Sequence, residues 1–164
     1  MSPQLVFLHG LESEPGGSKF LTLQSLGLGE VLEPDCSKLI VPDERFRVVE
    51  AALAGKQRLV LVGSSFGGLM ALKFAVAPPE QVAAMVLCAP AVHRTEPGWP
   101  PPAMTLPIPV RVLQGTRDDI VPLAAVEAYC VANGLPLTVV DDNHRLAASH
   151  AVMARLVREV WELV

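Results

Sequence analysis

Residues 58–77 read RLVLVGSSFGGLMALKFAVA. Leu59 to Val62 are four consecutive apolar residues, so a strand there has no face to offer water and belongs inside a parallel sheet covered on both sides. The residues from Ser65 onward have the length and composition of a helix. Between the two, Gly63-Ser64-Ser65-Phe66-Gly67 matches G-x-S-x-G. A strand that reverses at once into a helix forces its middle residue into a strained backbone, and only small residues two positions to either side let strand and helix approach so closely. Gly63 and Gly67 meet that need, and Gly68 eases the packing further. The turn lifts the hydroxyl of Ser65 to a helix N-terminus, where backbone N–H groups favour a developing negative charge. Two blander readings of the same residues are a bare tight turn and a glycine-rich phosphate cradle.

Working outward, the rest of the chain repeats the alternation of short apolar runs and helix-like segments. QLVFLHG (4–10), SKLIVPD (37–43), AAMVLCAP (83–90), PVRVLQG (109–115) and LPLTVVDD (135–142) read as further strands. SKFLTLQSLG (18–27) suits a helix with Ser18 as N-cap and Gly27 as stop, and DERFRVVEAALAG (43–55) one capped by Asp43 and closed by Gly55. PLAAVEAYCVANG (122–134) opens with Pro122 in a first turn, and SHAVMARLVREVWELV (149–164) makes the last helix. The expected architecture is α/β, a three-layer, mostly parallel sheet with helices on both faces, in a single domain over 1–164. Ligands of such sheets bind beyond the carboxyl ends of the strands.

Composition narrows the function classes. The 164 residues are 51% hydrophobic and 18% charged, with a formal net charge of -4. That balance, without a Lys/Arg cluster, excludes a nucleic-acid surface. No apolar run is long enough to cross a bilayer, and none resembles a secretion signal. Cys36, Cys88 and Cys130 are odd in number and widely spaced, so they read as reduced packing residues and the expected setting is cytoplasmic. No Cys/His cluster has metal-ligand spacing, no dinucleotide fingerprint follows a strand, and neither metal nor cofactor is expected. The stretch from Pro90 to Pro109 holds seven prolines. It reads either as a rigid surface connection or as a wall beside the site that offers Trp99 or Met104 to a substrate.

A serine hydroxyl needs a base, and the base an orienting acid. TRDDIVP, after the strand at 109–115, brings Asp118 and Asp119 to the ligand-binding edge of the sheet. DDNHRL, after the last strand, brings His144 there. The order serine, aspartate, histidine is that of the nucleophile-elbow hydrolases.

On these residues the chain resembles the α/β-hydrolase family over nearly its whole length. FLHG (7–10) is similar to that family's His-Gly turn. GTRDDIVP (115–122) is similar to its acid turn, NHRL (143–146) to the His turn of small, lidless bacterial serine esterases, and LHGLESEPGGSK (8–19) to the opening of that group. The resemblance implies Ser65 as nucleophile, His144 as general acid-base, Asp118 as its orienting partner, and the backbone N–H groups of Leu11 and Phe66 as oxyanion donors. It implies a small-molecule ester or thioester as substrate, with amidase or peptidase action and a non-catalytic binding protein of the same fold as alternatives. Two departures from larger family members are expected: no leading hairpin before the His-Gly strand, and no lid domain after the strand ending near Pro90. His150, His9 and His93 compete with His144 as the base, Asp119 competes with Asp118 as the acid, and each rival reads better as a structural or solvated group. Asp141 and Asp142 read as polar residues at a strand end, and Glu12 and Glu14 as loop residues that could border the pocket.

Overall fold

A computed structural model describes residues 1–77, 79–94, 97–105 and 107–164. Its centre is the strand Leu59–Ser64 (β3), paired in parallel with Gln4–Leu8 (β1) on one side and Val82–Cys88 (β4) on the other. Val110–Gly115 (β5) and Leu137–Val140 (β6) continue the sheet beyond β4, and the two-residue strand Val31–Leu32 (β2) lies outside β1. The order is β2-β1-β3-β4-β5-β6, with every pairing parallel.

Side chains alternate between two cores along these strands because successive residues point to opposite faces. Leu59 and Leu61 enter one core and Val60 and Val62 the other. The first core is covered by Pro42–Leu53 (α2), Phe66–Val76 (α3) and Leu123–Asn133 (α4). The second is covered by Ser18–Gln24 (α1) and His150–Glu162 (α5). The three-layer α/β arrangement is therefore as the apolar runs imply. The order reverses between β1 and β3, since the chain leaves β1 for β2 on one side and returns to β3 on the other. That switch point opens the crevice in which such sheets bind ligands.

The second strand differs from the expectation. SKLIVPD (37–43) is not a strand: Ile40 and Val41 are exposed, and Pro42 begins α2. The pairing with β1 is made instead by Val31 and Leu32, opposite Leu5 and Val6. Two residues are too few to show a period in the sequence, whereas an apolar triplet before a proline imitates one. The caps also shift. Gly17, Val41 and Pro122 stand at the N-caps of α1, α2 and α4, with Ser18 and Asp43 already inside their helices, and none of these caps makes a side-chain hydrogen bond.

The proline-rich connection is a strap tied to helices, and among the described residues no lid domain interrupts it. Trp99 is buried, donates from Nε1 to Asp43 Oδ1 at 2.7 Å and packs edge-on against Phe46, with Lys73 Nζ 4.4 Å from its ring centre. Tyr129 Oη donates to the Pro102 carbonyl at 2.6 Å, and the Met104 N–H to Asn133 Oδ1 at 2.8 Å. Trp99 and Met104 thus fill the core and are not offered to a substrate. Ala91, His93 and Arg94, at the start of the same segment, do line the cleft described below. Thr95, Glu96 and Leu106 of that segment lie outside the described residues. Among the described residues no helix is long and apolar enough to cross a membrane.

Two outcomes are expected from this packing. A Cβ at Gly67 would stand 2.6 Å from the Leu8 carbonyl carbon and 2.7 Å from the His9 carbonyl oxygen, both backbone. Gly67→Ala should therefore lower stability by about 1–3 kcal/mol or more in denaturant unfolding. Burial pushes the thiols of Cys88 and Cys130 up to about 11 and raises that of Cys36. Because the thiolate is the reactive form, a thiol reagent at pH 8 should leave the native protein unlabelled and titrate three thiols after unfolding, three being the cysteines present.

Candidate active site

Ser65 sits where β3 turns into α3, with φ 56° and ψ -115°. A left-handed backbone at a residue with a side chain costs of order 1–3 kcal/mol and persists only where its surroundings leave no alternative. Here the Ser65 N–H donates to the Cys88 carbonyl at 2.9 Å, and its carbonyl accepts from the Gly68 N–H at 3.0 Å and the Ala91 N–H at 2.9 Å. Close approach fixes the glycines. A Cβ at Gly63 would lie 2.6 Å from the Gly67 carbonyl oxygen, and one at Gly68 would lie 3.0 Å from Pro90 Cβ. The first turn of α3 is thereby pressed against the ends of β1 and β4, and Ser65 lines the crevice.

Asp118 and His144 reach that hydroxyl from two other strand ends. Asp118 Oδ1 accepts from the N–H groups of Ile120 at 2.9 Å and Val121 at 2.8 Å. Its Oδ2 accepts from Gln114 Nε2 at 3.1 Å and His144 Nδ1 at 2.8 Å. With Nδ1 donating to the carboxylate, Nε2 is the ring's acceptor, and it lies 3.0 Å from Ser65 Oγ. The Asp118 side chain is 0% exposed and that of His144 17%, so the relay is shielded from water on its carboxylate side. Asp119 is exposed at the cleft rim and takes no part in it.

The loop that presents His144 is organised by Asp142. Its carboxylate accepts from the Asn143 N–H at 2.8 Å, the Ala148 N–H at 3.0 Å and Ser149 Oγ at 2.8 Å. Burial works to raise this carboxyl, but those donors, with Arg117 nearby, hold it below the ordinary aspartate range. Asp142 is therefore more than the strand-end polar residue it reads as. Asp141 is nearer that description, an exposed group paired with Arg117 at 2.8 Å. Gly115 belongs to the same arrangement: a Cβ there would run into the Asp142 carbonyl, so only glycine lets the end of β5 pass under the loop.

Leu11 and Phe66 border the same crevice as Ser65 and His144, and among the described residues neither backbone N–H is taken by an acceptor. One residue joins them. Arg45 of α2 is 1% exposed. Its Nη1 donates to the His9 carbonyl at 2.8 Å, and its Nη2 to those of Gly10 at 3.0 Å, Cys36 at 3.2 Å and Leu11 at 3.4 Å. Nε donates to the Leu39 carbonyl at 3.0 Å. The guanidinium also lies 5.4 Å from the Phe66 ring centre, with Arg94 at 4.4 Å on the same ring. A buried cation saturated by carbonyls thus shapes the turn at 9–11 and touches the side chain of Phe66. Nothing in the helical pattern of α2 distinguishes Arg45 from a surface arginine, so the sequence hides it.

The remaining histidines have other duties. His9 Nε2 accepts from the Cys36 N–H at 3.0 Å while Nδ1 donates to the Gly10 carbonyl at 2.9 Å, and burial lowers its pKa. His150 is bonded through Nδ1 to Thr22 Oγ1 at 2.9 Å, away from Ser65. His93 lines the cleft; burial, and then Arg94, disfavour its charged form, so it stands there as a neutral imidazole near pH 7. The cleft is open, about 990 Å³, and is bordered also by Glu12 and Glu14. Among the described residues no group of three or more His, Cys, Asp or Glu side chains could hold a metal ion.

Known proteins share this fold. A family described as serine aminopeptidase, S33, matches residues 45–106, a span that holds Ser65 and stops short of Asp118 and His144. A protein of the alpha/beta hydrolase superfamily from Xanthomonas campestris pv. campestris superposes with a TM-score of 0.87 at 25% identity, covering 100% of both chains. Alpha/beta hydrolase domain-containing protein 10 from mouse gives 0.81 at 20% identity, over 99% of this chain and 90% of that one. Est1E from Butyrivibrio proteoclasticus gives 0.77 at 16% identity, over 96% and 86%. No curated protein matches the sequence.

Removing the buried cation should be costly. Arg45→Met, which keeps the stem and deletes the guanidinium, leaves up to five carbonyls without their donor. It should destabilise the protein by about 3 kcal/mol or more in urea unfolding, and Arg45→Lys should recover only part of that loss because an ammonium cannot span the same fork.

Proposed function

We propose that this chain, a member of the α/β-hydrolase superfamily, is a serine hydrolase that cleaves carboxylic esters or thioesters of small or short-chain acyl substrates. The observation that carries the reading is the continuous relay from Asp118 Oδ2 to His144 Nδ1, 2.8 Å, and from His144 Nε2 to Ser65 Oγ, 3.0 Å.

In this reading His144 takes the proton of Ser65 as the oxygen attacks the substrate carbonyl, and Asp118 holds the imidazole in the tautomer whose Nε2 can accept. The N–H groups of Leu11 and Phe66 receive the oxyanion, each worth roughly 10²–10³ in rate. His144 then returns the proton to the leaving alcohol or thiol. A water activated by the same nitrogen releases the acid from the acyl-enzyme. The carboxylate of Asp118 stays ionised throughout. The open cleft and the absence of a lid among the described residues favour short acyl groups or exposed esters. Three buried free cysteines fit a reducing, cytoplasmic setting.

A second reading, amide or peptide cleavage on the same three residues, draws support from the description of the family that matches residues 45–106. A panel of p-nitrophenyl esters set against aminoacyl p-nitroanilides separates the two, and faster turnover of the anilides would reverse the preference.

The hydrolase reading itself is tested with a fluorophosphonate probe. Ser65 should be the labelled residue, with labelling lost in Ser65→Ala. A folded protein that stays unlabelled would instead be a binding protein of this fold. Ser65→Ala and His144→Ala should each lower kcat/KM for a short-chain ester by about 10³ or more, and Asp118→Asn by about 10²–10⁴, since the amide favours the wrong tautomer. His150→Ala should leave turnover at the wild-type level.

A further inference from the structure

Gln114 is out of place in its strand. It follows Val112 and Leu113 in β5 and, by the alternation of a strand, falls on the side of Val112, in the core that Val112 shares with Val121 and Val126. It is 0% exposed. An amide buried at such a position costs free energy unless its polar atoms are bonded. Both bonds it makes run to the turn of the acid: Nε2 donates to Asp118 Oδ2 at 3.1 Å and to the Val121 carbonyl at 3.0 Å. Oε1 is buried and, among the described residues, has no donor. The two acceptors fix which end of the amide faces the turn, because an oxygen turned toward a carboxylate and a carbonyl is repelled by both. An apolar side chain would fill the position without leaving an acceptor unsatisfied, so packing alone does not account for a glutamine.

The group it touches does account for it. Asp118 Oδ1 is occupied by the backbone N–H groups of Ile120 and Val121. Oδ2, the oxygen that meets His144, is shared between His144 Nδ1 at 2.8 Å and Gln114 Nε2. The Asp118 side chain is 0% exposed, so these donors hold its charge in place of water. Among the described residues, Gln114 is the one side-chain donor to this carboxylate besides His144 itself. A hydrogen bond to an ionised carboxylate favours its charge and draws off part of what its other partner feels.

We infer that Gln114 is a positioning residue of the relay: it steadies Asp118 Oδ2 opposite His144 and limits how strongly that oxygen holds the proton of the imidazolium. The inference rests on the reading of Ser65, His144 and Asp118 as nucleophile, base and orienting acid. Without the amide, Oδ2 answers to His144 alone. The imidazole then keeps its proton to higher pH, and less of it is the free base that Ser65 needs. Gln114 stands outside the residues that line the cleft, so its removal lowers kcat and leaves KM unchanged.

The test replaces Gln114 with methionine, which keeps the stem and deletes both donors. NMR of the ring nitrogens, with the His144 signals assigned by their loss in His144→Ala, gives the midpoint of the His144 titration without turnover. Gln114→Met should move that midpoint to a pH about 1 higher, a tenfold change in proton affinity on the scale of one hydrogen bond to a charged group. With a short-chain ester, kcat on the acid limb should fall about tenfold at constant KM. Gln114→Asn, whose amide is one methylene short of Oδ2, is the second variant should methionine prevent folding, and it should move the midpoint the same way. Val112→Ala, on the same side of β5, disturbs the core without touching the relay and should leave the midpoint in place. The charged and titratable groups that share the cleft with the pair, His93, Arg94, Arg117, Asp119 and Arg145, are the same in every variant. A midpoint unmoved by the Gln114 variants, or moved equally by Val112→Ala, overturns the inference even where the fluorophosphonate probe labels Ser65. A midpoint that rises in a protein whose Ser65 takes no label keeps the hold of Gln114 on the pair and overturns the nucleophile.

Discussion

Everything at the site depends on how closely the first turn of α3 lies against the ends of β1 and β4. That approach is possible because three positions lack a Cβ, at Gly63, Gly67 and Gly68. It brings Phe66 N–H and the turn at 9–11 to one crevice, and it leaves Ser65 no relaxed backbone to adopt. Two sets of bonds hold the strain in place. Cys88 and Ala91 grip the Ser65 backbone from β4 and the strap beyond it, and Arg45 grips the turn after β1 from α2. The elbow is thus braced by neighbours on either side of β3, and its geometry follows from the sheet order itself.

The relay obeys a similar economy. Asp118 spends one oxygen on two backbone N–H groups of its own turn and the other on Gln114 and His144. Asp142 does for the histidine loop what Asp118's turn does for the acid, satisfying three donors so that the loop has one conformation. Both carboxylates act locally on backbone before they act on anything else. That is why His144 can be held to within hydrogen-bond distance of Ser65 from 79 residues away.

The sheet was legible, and so was the meeting of Ser65, Asp118 and His144 at its edge, because these signals are local. An unbroken apolar run such as Leu59 to Val62 can only be a covered strand, and Gly63-x-Ser65-x-Gly67, Asp118 and His144 each follow such a run directly. What was illegible depends on partners distant in sequence. Val31 and Leu32 become a strand only because β1 offers them an edge, while Leu39 to Val41 mimic one without finding a partner. Arg45 looks like any arginine on an amphipathic helix until the carbonyls of residues 9–11 and 36 are seen around it. Trp99 sits in a proline-rich segment that suggests surface, yet Asp43, Phe46 and Lys73 draw it into the core. Gly115 and Asp142 lie 27 positions apart, and only their contact explains either.

The last strand pair carries a consequence for biosynthesis. β6 is an edge strand paired with β5 alone, and the histidine that completes the relay lies beyond it, followed by α5, which closes the second core. Parallel pairing of distant segments forms slowly because chain closure precedes the reward of contact. A ribosome-bound chain ending before residue 144 can dock β1 to β5 and still leave Ser65 without the His144 imidazole. Under the proposed reading, the relay is complete only once the residues beyond β6 have joined the fold.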